Sequence, residues 1–475
     1  MSKTDFDAVI LGSGPNGLAA AIVLQQRGLS TLIIEGRNAI GGGMRSAELT
    51  LPGFIHDVCS AAHPLGIASP FFKTLPLDRH GLEWIVPPIA AAHPLDTGTT
   101  PFLTQSPQQT AESFGVDRST YLRLLSPLVK DWPSLAPELL GPFHFPNHPG
   151  MMARFGWQGI PSAAHLAKGF QTAEAKALVA GMAAHAMQPL TNLTTAAVTL
   201  IFLMAGHGDG WPIARYGSVK LAEALAAYYT SLGGRIQTNT WIGELSQLPS
   251  AKALLLDLTP RQLLKLGGNR WSALYQRQLE RYRYGMGVFK VDWALDGPIP
   301  WKHPACREAG TVNLGNTFEE IAASEALTAQ GGHPDRPFVL LTQPSLFDPS
   351  RAPQGKHTAW AYCHVPGGSR RDMTAAVEAQ IERYAPGFRD RILARHTMDT
   401  AQMEEYNPNY VGGDINGGIM DIRQLFTRPA LRRSPYRTSV NNIYLCSSAS
   451  PPGGGVHGMC GYHAARRVLR DLFRL

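Results

Sequence analysis

The feature that most constrains the fold is the segment 8–35, which has the order strand, glycine turn, helix, strand and acid. Residues 8–11 are a short apolar run, typical of a buried parallel strand. Residues 12–17 (Gly-Ser-Gly-Pro-Asn-Gly) follow directly and fit the G-x-G-x-x-G fingerprint of a dinucleotide-binding turn. Residues 18–26, rich in alanine and leucine, predict a helix, and residues 29–34 predict a second strand.

The three glycines of this turn have separate physical roles. Gly12 makes the tight turn, Gly14 allows the backbone to approach a pyrophosphate, and Gly17 allows the helix to pack close to the strand. Pro15 and Asn16 lie between them at the start of the helix, where free N–H groups and the positive end of the dipole favour phosphate. The turn therefore predicts a pyrophosphate site.

An acid at the end of the second strand supports this interpretation. Glu35 follows Gly17 by 18 residues, the position at which a carboxylate accepts hydrogen bonds from an adenosine ribose. A carboxylate there disfavours a 2′-phosphate, so the site is not expected to bind NADP. The alternative is a strand–helix–strand unit whose glycines serve only a tight turn.

The bulk properties indicate a globular protein with two packed domains. The chain has 475 residues, of which 44% are hydrophobic and 17% charged, with a net charge of +7. The basic residues are scattered, apart from Arg432, Arg433 and the segment 466–474. This excess suits an anionic cofactor or a peripheral contact with a membrane surface, although a solvated basic face is the commoner explanation. We see no nucleic-acid-binding motif.

The N-terminus and the cysteines predict a cytoplasmic protein without a metal site. The first apolar run is already the strand, so no apolar signal core precedes it. The longest apolar stretch, 196–205, falls short of the ~20 residues that span a bilayer. None of the five cysteines forms a C-x-x-C pair, which argues against a disulfide-exchanging enzyme and against a thiolate zinc site. An odd number of scattered cysteines fits a reducing compartment.

The middle of the chain returns to the α/β style of the N-terminus after a long insertion. A helix is predicted over 219–232, followed by strands at 235–238 and 253–257. Period-two alternation at 287–293, and in two later segments at 338–342 and 357–364, predicts an antiparallel sheet of a second domain.

The C-terminus repeats the opening pattern. Residues 443–446 predict a strand, 451–458 a glycine loop and 459–472 a helix. The loop matches G-x-G-x-x-G again, but the chain has no room for the further strand and acid of a second nucleotide fold. One long cofactor held at both ends explains the pattern better, and FAD has the required length.

These observations predict an α/β fold with a Rossmann-like FAD-binding domain that is discontinuous in sequence. The second domain is an α+β substrate domain with an antiparallel sheet. The FAD-binding domain is expected to comprise residues 1–70, 212–275 and 420–475. The substrate domain is expected to comprise residues 71–211 and 276–419.

The chain resembles the flavoprotein family of phytoene desaturases, carotenoid isomerases and retinol saturase and, more distantly, the monoamine oxidases. The resemblance rests on the turn 12–17, Glu35, the glycines 41–42 with Arg45, the helix start at Gly217, and the loop 452–458. Two departures stand out: Cys-Ser-Ser-Ala occupies 446–449 in place of a small residue and aspartate, and the segment between strands 235–238 and 253–257 has no clear β-meander.

The resemblance implies roles for individual residues. Glu35 would bind the adenosine ribose, and the glycines of the first turn the pyrophosphate. The residues expected along the ribityl chain and flavin ring are Gly42, Gly43 and Arg45. The residues expected to face the isoalloxazine are Gly455, Val456, His457, Gly458 and Met459.

The leading functional hypothesis is an FAD-dependent oxidoreductase that removes hydride from an apolar or partly apolar small molecule. The flavin would be reoxidised by oxygen or a quinone-like acceptor, since only one complete nucleotide fold is visible. The alternatives are an amine oxidase, a redox-neutral flavin-dependent isomerase, and a flavin-loaded binding protein without turnover. The oligomeric state does not follow from the sequence.

The candidate catalytic residues lie near the C-terminus. His457, at the start of the last helix, is a candidate proton donor or substrate contact. Asp414 is the candidate acid–base carboxylate, and Tyr410 lies in the same turn-rich segment, 407–414, expected to form an active-site wall. For an amine oxidase, an aromatic cage is expected from Tyr406, Tyr410, Trp360 and Tyr362.

Overall fold

Sixteen strands and sixteen α-helices alternate along the chain in the computed structural model, which describes residues 4–475. The strands are β1 (Phe6–Leu11), β2 (Thr31–Ile34), β3 (Ser46–Glu48), β4 (Ile55–Asp57), β5 (Trp84–Ile85), β6 (Ile89–Ala92), β7 (Phe102–Leu103), β8 (Ile213–Ala214), β9 (Arg235–Gln237), β10 (Ala251–Leu256), β11 (Gly287–Leu295), β12 (Ala309–Leu314), β13 (Val339–Thr342), β14 (His357–Val365), β15 (Ile392–Met398) and β16 (Ile443–Leu445). The helices are α1 (Pro15–Gln25), α2 (Pro64–Ile67), α3 (Pro107–Ala111), α4 (Arg118–Leu139), α5 (Pro149–Gly159), α6 (Ala163–Ala167), α7 (Ala173–Ala184), α8 (Thr195–Gly208), α9 (Val219–Ser231), α10 (Pro260–Gly267), α11 (Ala273–Glu280), α12 (Phe318–Ala329), α13 (Thr374–Tyr384), α14 (Thr400–Tyr406), α15 (Ile422–Leu425) and α16 (Met459–Val468).

A parallel sheet of five strands gathers both ends and the middle of the chain, in the order β16-β10-β1-β2-β9. Val9 of β1 is aligned with Leu32 on one side and with Leu254 on the other. The chain builds outward from β1 through β2 to β9 and then returns to the other side at β10. The crevice between the carboxyl ends of β1 and β10 is therefore the topological switch point, where sheets of this kind bind ligands. This confirms the predicted Rossmann-like, discontinuous domain.

The second sheet has seven strands in the order β15-β11-β14-β13-β12-β6-β7. Its pairings are antiparallel, as expected, except that β12 and β6 run parallel. Strands β11, β12, β13 and almost all of β14 are buried on both faces. Successive side chains along these strands therefore alternate between two packed layers and not between core and solvent. One face packs on α13, and the other faces the helices of the long insertion.

The insertion is mainly helical, as its sequence predicts. Helices α4, α5 and α7 pack against α8, whose nearly all-apolar sequence lies in the core. Gly206 and Gly208 belong to the end of this helix, so the glycines here do not form a phosphate loop. No helix within residues 4–475 is both long and apolar enough to cross a membrane.

Candidate active site

A cavity of about 550 Å³ lies between the two sheets and is lined by residues from all five predicted segments. One end contains the glycine turn, Glu35 and Trp241; the other contains His185, Phe202 and Trp360. Every segment contributes to this one cavity. The limits of the two domains remain a prediction. A volume of this size suits small molecules and cofactors.

Small backbone surfaces form the first end of the cavity. A Cβ atom on Gly42 would lie 3.1 Å from the Cα of Gly14, and one on Gly43 would lie 2.4 Å from the Tyr410 hydroxyl oxygen. Side chains at these positions would therefore collide with neighbouring protein atoms, so the close packing of this end requires glycine. The predicted cofactor residues that line this end are Gly12, Gly14, Pro15, Asn16, Glu35, Gly42, Gly43 and Arg45.

Gly17 is placed differently. It does not line the cavity, and a Cβ atom there would lie 2.1 Å from the carbonyl oxygen of Gly12. Its role is the close approach of α1 to β1, which the sequence analysis also assigned to it.

Glu35 is held at the end of β2 by four hydrogen bonds. Its Oε2 accepts from the Ser13 N–H (3.0 Å) and hydroxyl (2.6 Å). Its Oε1 accepts from the Arg37 N–H at 2.9 Å and from Arg45 Nη2 at 3.3 Å. The Arg45 guanidinium also lies 5.5 Å from the centre of the Tyr406 ring. The carboxylate is thus held in a fixed orientation at the edge of the cavity.

Asp257 is a functional candidate that the sequence analysis did not identify. It directly follows β10, across the switch point from the glycine turn, and its Oδ2 accepts the Gly17 N–H at 3.1 Å. Burial, with a smaller contribution from Glu35, raises the pKa of Asp257 to about 7. The sequence did contain a signal for Asp257, namely an acid at the end of the predicted strand 253–257. The carboxyl ends of the strands in such a sheet line the ligand crevice.

Several features of this end fit a dinucleotide. The Asn16 side-chain oxygen is buried in the described structure without a hydrogen-bond partner, and Asn16 lines the cavity. Such an atom calls for a donor from a ligand or a water. Arg37 and Lys265 also line this end and supply positive charge for an anion.

The C-terminal loop reaches the cavity with only part of its predicted contacts. Gly455 and Val456 line the cavity, whereas His457, Gly458 and Met459 do not. The His457 ring is buried and its Nδ1 accepts the Met459 N–H at 3.0 Å, so that N–H is not free to face a flavin. Burial lowers the pKa of His457 to about 4, which keeps the ring neutral.

Gly458 packs against Phe72. Because the His457 ring is buried, neutral and outside the cavity lining, the geometry does not support its role as a proton donor. The ring instead accepts the first N–H of α16 and so caps the N-terminus of that helix.

Asp414 is also outside the cavity lining. Its Oδ2 accepts the N–H groups of Gly285 (2.7 Å) and Gly418 (3.0 Å), and its Oδ1 accepts that of Asn416 (2.8 Å). These three backbone donors make the Asp414 carboxyl the organiser of a turn, and the carboxyl is buried outside the cavity lining. The geometry does not support its predicted acid–base role.

The four residues of the expected aromatic cage all line the cavity. The Tyr406 hydroxyl donates to the Gly42 carbonyl at 2.8 Å, and its ring centre lies 6.5 Å from that of Tyr410. Trp360 and Tyr362 form an edge-to-face pair with ring centres 5.3 Å apart. Burial raises the pKa of Tyr410 well above its usual value, so its hydroxyl stays protonated.

The second end of the cavity, here called the chamber, is built from residues of the two interior layers. Its lining residues are His185, Phe202, Trp211, Thr311, Leu340, Thr342, Trp360 and Tyr362. None of these side chains is charged at neutral pH. The buried ion pair of Lys290 with Asp292 lies beside it, with Lys290 Nζ 5.7 Å from the centre of the Trp360 ring. Only Trp360 and Tyr362 of this set were expected from the sequence.

Comparison with known proteins agrees with this geometry. Residues 10–74 match the family model described as an NAD(P)-binding Rossmann-like domain. A solved structure of putrescine oxidase with bound putrescine superposes with a TM-score of 0.62 at 15% identity, covering 99% of each chain. The chain is an oxidoreductase that is similar in sequence to phytoene desaturases and in fold to putrescine oxidase.

Two sequence relatives cover nearly the whole chain. The pyridine nucleotide-disulfide oxidoreductase domain-containing protein 2 of Rattus norvegicus is 25% identical, covering 99% of this chain and 94% of its own. A lycopene-forming phytoene desaturase of Pseudescherichia vulneris is 25% identical, covering 97% of both chains. These relatives confirm the predicted resemblance to the phytoene desaturase family.

Proposed function

We propose that the protein binds FAD noncovalently and removes hydride from an apolar or partly apolar small molecule. The observation that carries this proposal is the continuous cavity. It begins at the Rossmann glycine turn and Glu35 and ends in an uncharged, largely aromatic chamber. A nicotinamide dinucleotide alone would not require the second glycine loop, of which Gly455 and Val456 line this cavity.

The residues that would hold FAD follow from their places along the cavity. Gly12 and Gly14, which line the cavity, would leave room for the diphosphate, and Glu35 would face the adenosine ribose. The ribityl chain would lie along Gly42 and Gly43, and Gly455 and Val456 would border the ring. Flavin, when bound, supplies the hydride acceptor.

The protein's own contribution is orientation and exclusion of water. Trp360, Tyr362 and Tyr410 are buried, and they line the walls beside the position proposed for the ring. Such walls hold an apolar substrate in a fixed orientation by contact area, and they leave little room for solvent. Because Tyr410 stays protonated and Asp414 lies outside the cavity lining, neither of these two residues presents a free base to the chamber.

The proposed electron acceptor is oxygen or a quinone-like molecule. The described chain has one complete nucleotide-binding sheet, and FAD would occupy it. Rapid anaerobic reduction of the bound flavin by NADH or NADPH would contradict this part of the proposal.

Amine oxidation is a second candidate, because the four residues of the expected aromatic cage do meet at the cavity. Aromatic faces suit a neutral amine or a cation. A redox-neutral isomerase or a flavin-loaded binding protein would use the same cofactor site. Only measurements of turnover distinguish these two from an oxidoreductase.

The test begins with the absorption spectrum of the purified protein and with denaturation. Release of free FAD is expected; release of FMN or NAD, or flavin that stays with the precipitate, would contradict noncovalent FAD binding. Anaerobic bleaching by a panel of apolar alcohols, alkenes and amines then identifies substrates. Loss of two hydrogens in the product mass indicates dehydrogenation, an unchanged mass indicates isomerisation, and no bleaching at all supports the binding protein.

A further inference from the structure

Three polar side chains form a row across neighbouring strands at the chamber wall. Thr311 of β12 lies opposite Thr342 of β13, two positions beyond the aligned pair Asn313 and Leu340. Thr342 is in turn aligned with Trp360 of β14. All three side chains line the chamber, so the sheet presents a short polar strip within an apolar wall.

A fourth polar group meets this strip from the helical layer. His185 follows α7, and its ring centre lies 5.9 Å from that of Trp211, whose Nε1–H donates to the Thr311 hydroxyl at 2.9 Å. One turn earlier, Gly181 of α7 packs directly against Asn313 of β12. The helix therefore holds His185 over the same part of the sheet.

Three polar atoms of this group have no partner in the described structure. They are His185 Nε2, Thr342 Oγ1 and Trp360 Nε1, and each is shielded from solvent. A buried polar atom without a partner costs folding free energy, so three such atoms on residues that line one cavity wall point to a ligand or ordered water there. Thr311 adds a hydroxyl hydrogen that no acceptor within residues 4–475 takes up.

The charge around these atoms restricts what they can bind. Burial, with a smaller effect of His364, lowers the pKa of His185 to about 3, so the ring is neutral. Lys290 beside Trp360 is already paired with Asp292. No carboxylate among the described residues lines the chamber to balance a cation, and burying an unpaired charge is costly.

We propose that this end of the chamber binds a neutral oxygen group, a hydroxyl or a carbonyl, of an otherwise apolar molecule. Trp360 donates to the oxygen, Thr342 donates or accepts, and His185 completes the site with the tautomer that the ligand requires. The proposal rests on the proposed function, because the molecule bound here is taken to be the substrate. The oxygen group would let the protein bind such substrates in preference to pure hydrocarbons and cationic amines.

Equilibrium dialysis of the purified holoprotein with four probes on one rigid skeleton tests the proposal. The probes are adamantane, adamantanol, adamantylamine and adamantane carboxylate at neutral pH. Adamantanol is expected to bind more tightly than either charged probe. In Thr342→Val and Trp360→Phe, its Kd is expected to rise about tenfold, as for loss of one hydrogen bond, while that of adamantane changes less than about twofold.

Thr358→Val is the matched control. Thr358 lies on β14 two residues before Trp360, is buried, and also has an unpartnered hydroxyl, but it does not line the cavity. It should leave the ratio of the two Kd values unchanged. His185→Phe provides a third variant if either chamber variant fails to fold.

The proposal is overturned if the chamber variants leave the adamantanol-to-adamantane ratio at the wild-type value, or if adamantylamine binds most tightly. Failure of the proposed function has a separate signature. A protein that releases no FAD on denaturation refutes that function, while the dialysis ratios still report on the chamber.

Discussion

Glu35 has the best-defined position of the residues expected to touch the cofactor. Its two carboxylate oxygens accept four hydrogen bonds from Ser13, Arg37 and Arg45, so its side chain is oriented before any ligand arrives. We expect Glu35→Ala to weaken FAD binding by ~1–3 kcal/mol through loss of charge-assisted hydrogen bonds. Titration of apoprotein with FAD, followed by flavin fluorescence, measures the change.

Glu35→Gln is the control for this prediction. It keeps the size of the side chain and its acceptor oxygen but removes the charge, so its affinity should lie between those of the wild type and the alanine variant. Equal affinities in all three proteins would remove Glu35 from the cofactor site.

Asp257 makes the cofactor end of the cavity sensitive to pH. Its pKa is raised by burial from 3.8 to about 7 in the folded protein. A carboxyl of this kind stabilises the fold fully below the unfolded pKa of about 4, and this contribution is lost as pH rises toward 7. The loss is of the order of a few kcal/mol, at roughly 1.4 kcal/mol for each pKa unit.

Asp257→Asn tests this dependence, because the amide oxygen can still accept the Gly17 N–H but does not ionise. Thermal unfolding between pH 5 and 8 should show the wild type losing stability relative to the variant as pH rises. An anionic diphosphate nearby should also bind the wild type less well at pH 8 than at pH 6, and the variant almost equally at both. Parallel pH profiles of the two proteins would contradict the assignment.

At the level of elements, the packing of α16 on α1 holds the two ends of the chain together. A Cβ atom on Gly461 of α16 would lie 1.8 Å from the Asn16 carbonyl oxygen of α1. We expect Gly461→Ala to destabilise the protein by about 3 kcal/mol or more, because both helices must separate. Chemical denaturation of the purified variant measures the loss.

Gly156 of α5 is the matched control. It is also a helical glycine, but an added Cβ atom would meet only the tip of Ile160, at 3.8 Å. Gly156→Ala should therefore be neutral or stabilising by roughly 0.5–1 kcal/mol, the helix propensity difference. Similar stabilities of the two variants would show that the helices are not as closely packed as described.

The elements themselves were largely predictable, because each depends on a local pattern. The strand at 8–11, the turn 12–17 and the helix of 219–232 are set by short apolar runs and glycines, and they are found within a few residues of their predicted limits. His457 shows the limit of such patterns. Its position beside a glycine loop predicted a site residue, whereas the direction of its ring depends on packing that the local sequence does not encode.

The chamber could not be predicted for a related reason. Thr311, Thr342 and Trp360 are brought together by strand register, and His185 by the packing of α7 over the sheet. Register between strands far apart in sequence is set by the buried faces of the whole sheet. The cofactor end was easier because its residues follow two consecutive strands, β1 and β2.

At the scale of the whole molecule, two segments without any carboxylate meet on the surface. Residues 141–170 and 422–470 contain no aspartate or glutamate. The rings of Phe143 and Phe426, 85% and 57% exposed, lie 5.6 Å apart, and Phe145 is 86% exposed. Exposed aromatic side chains in acid-free, arginine-containing segments match an anionic membrane surface.

The wall of the cavity connects to this surface through one short segment. Asn416 lines the cavity, and Phe426 follows ten residues later in the same chain.

We predict that the protein binds anionic lipid vesicles through Phe143, Phe145 and Phe426. In flotation assays it should bind vesicles with about 30% phosphatidylglycerol more strongly than neutral phosphatidylcholine vesicles, and added salt should weaken this binding. Replacing all three phenylalanines by serine should reduce binding about tenfold or more, since each exposed ring contributes on the order of 1 kcal/mol or more of apolar burial.

Val116→Ser is the control, because Val116 is 70% exposed but lies outside both acid-free segments. It should bind vesicles as the wild type does. Equal flotation of the triple variant and the wild type would exclude a membrane role for the three rings. A change of sedimentation coefficient in the triple variant without any loss of vesicle binding would instead show that a second copy of the chain covers them, because self-association requires no lipid.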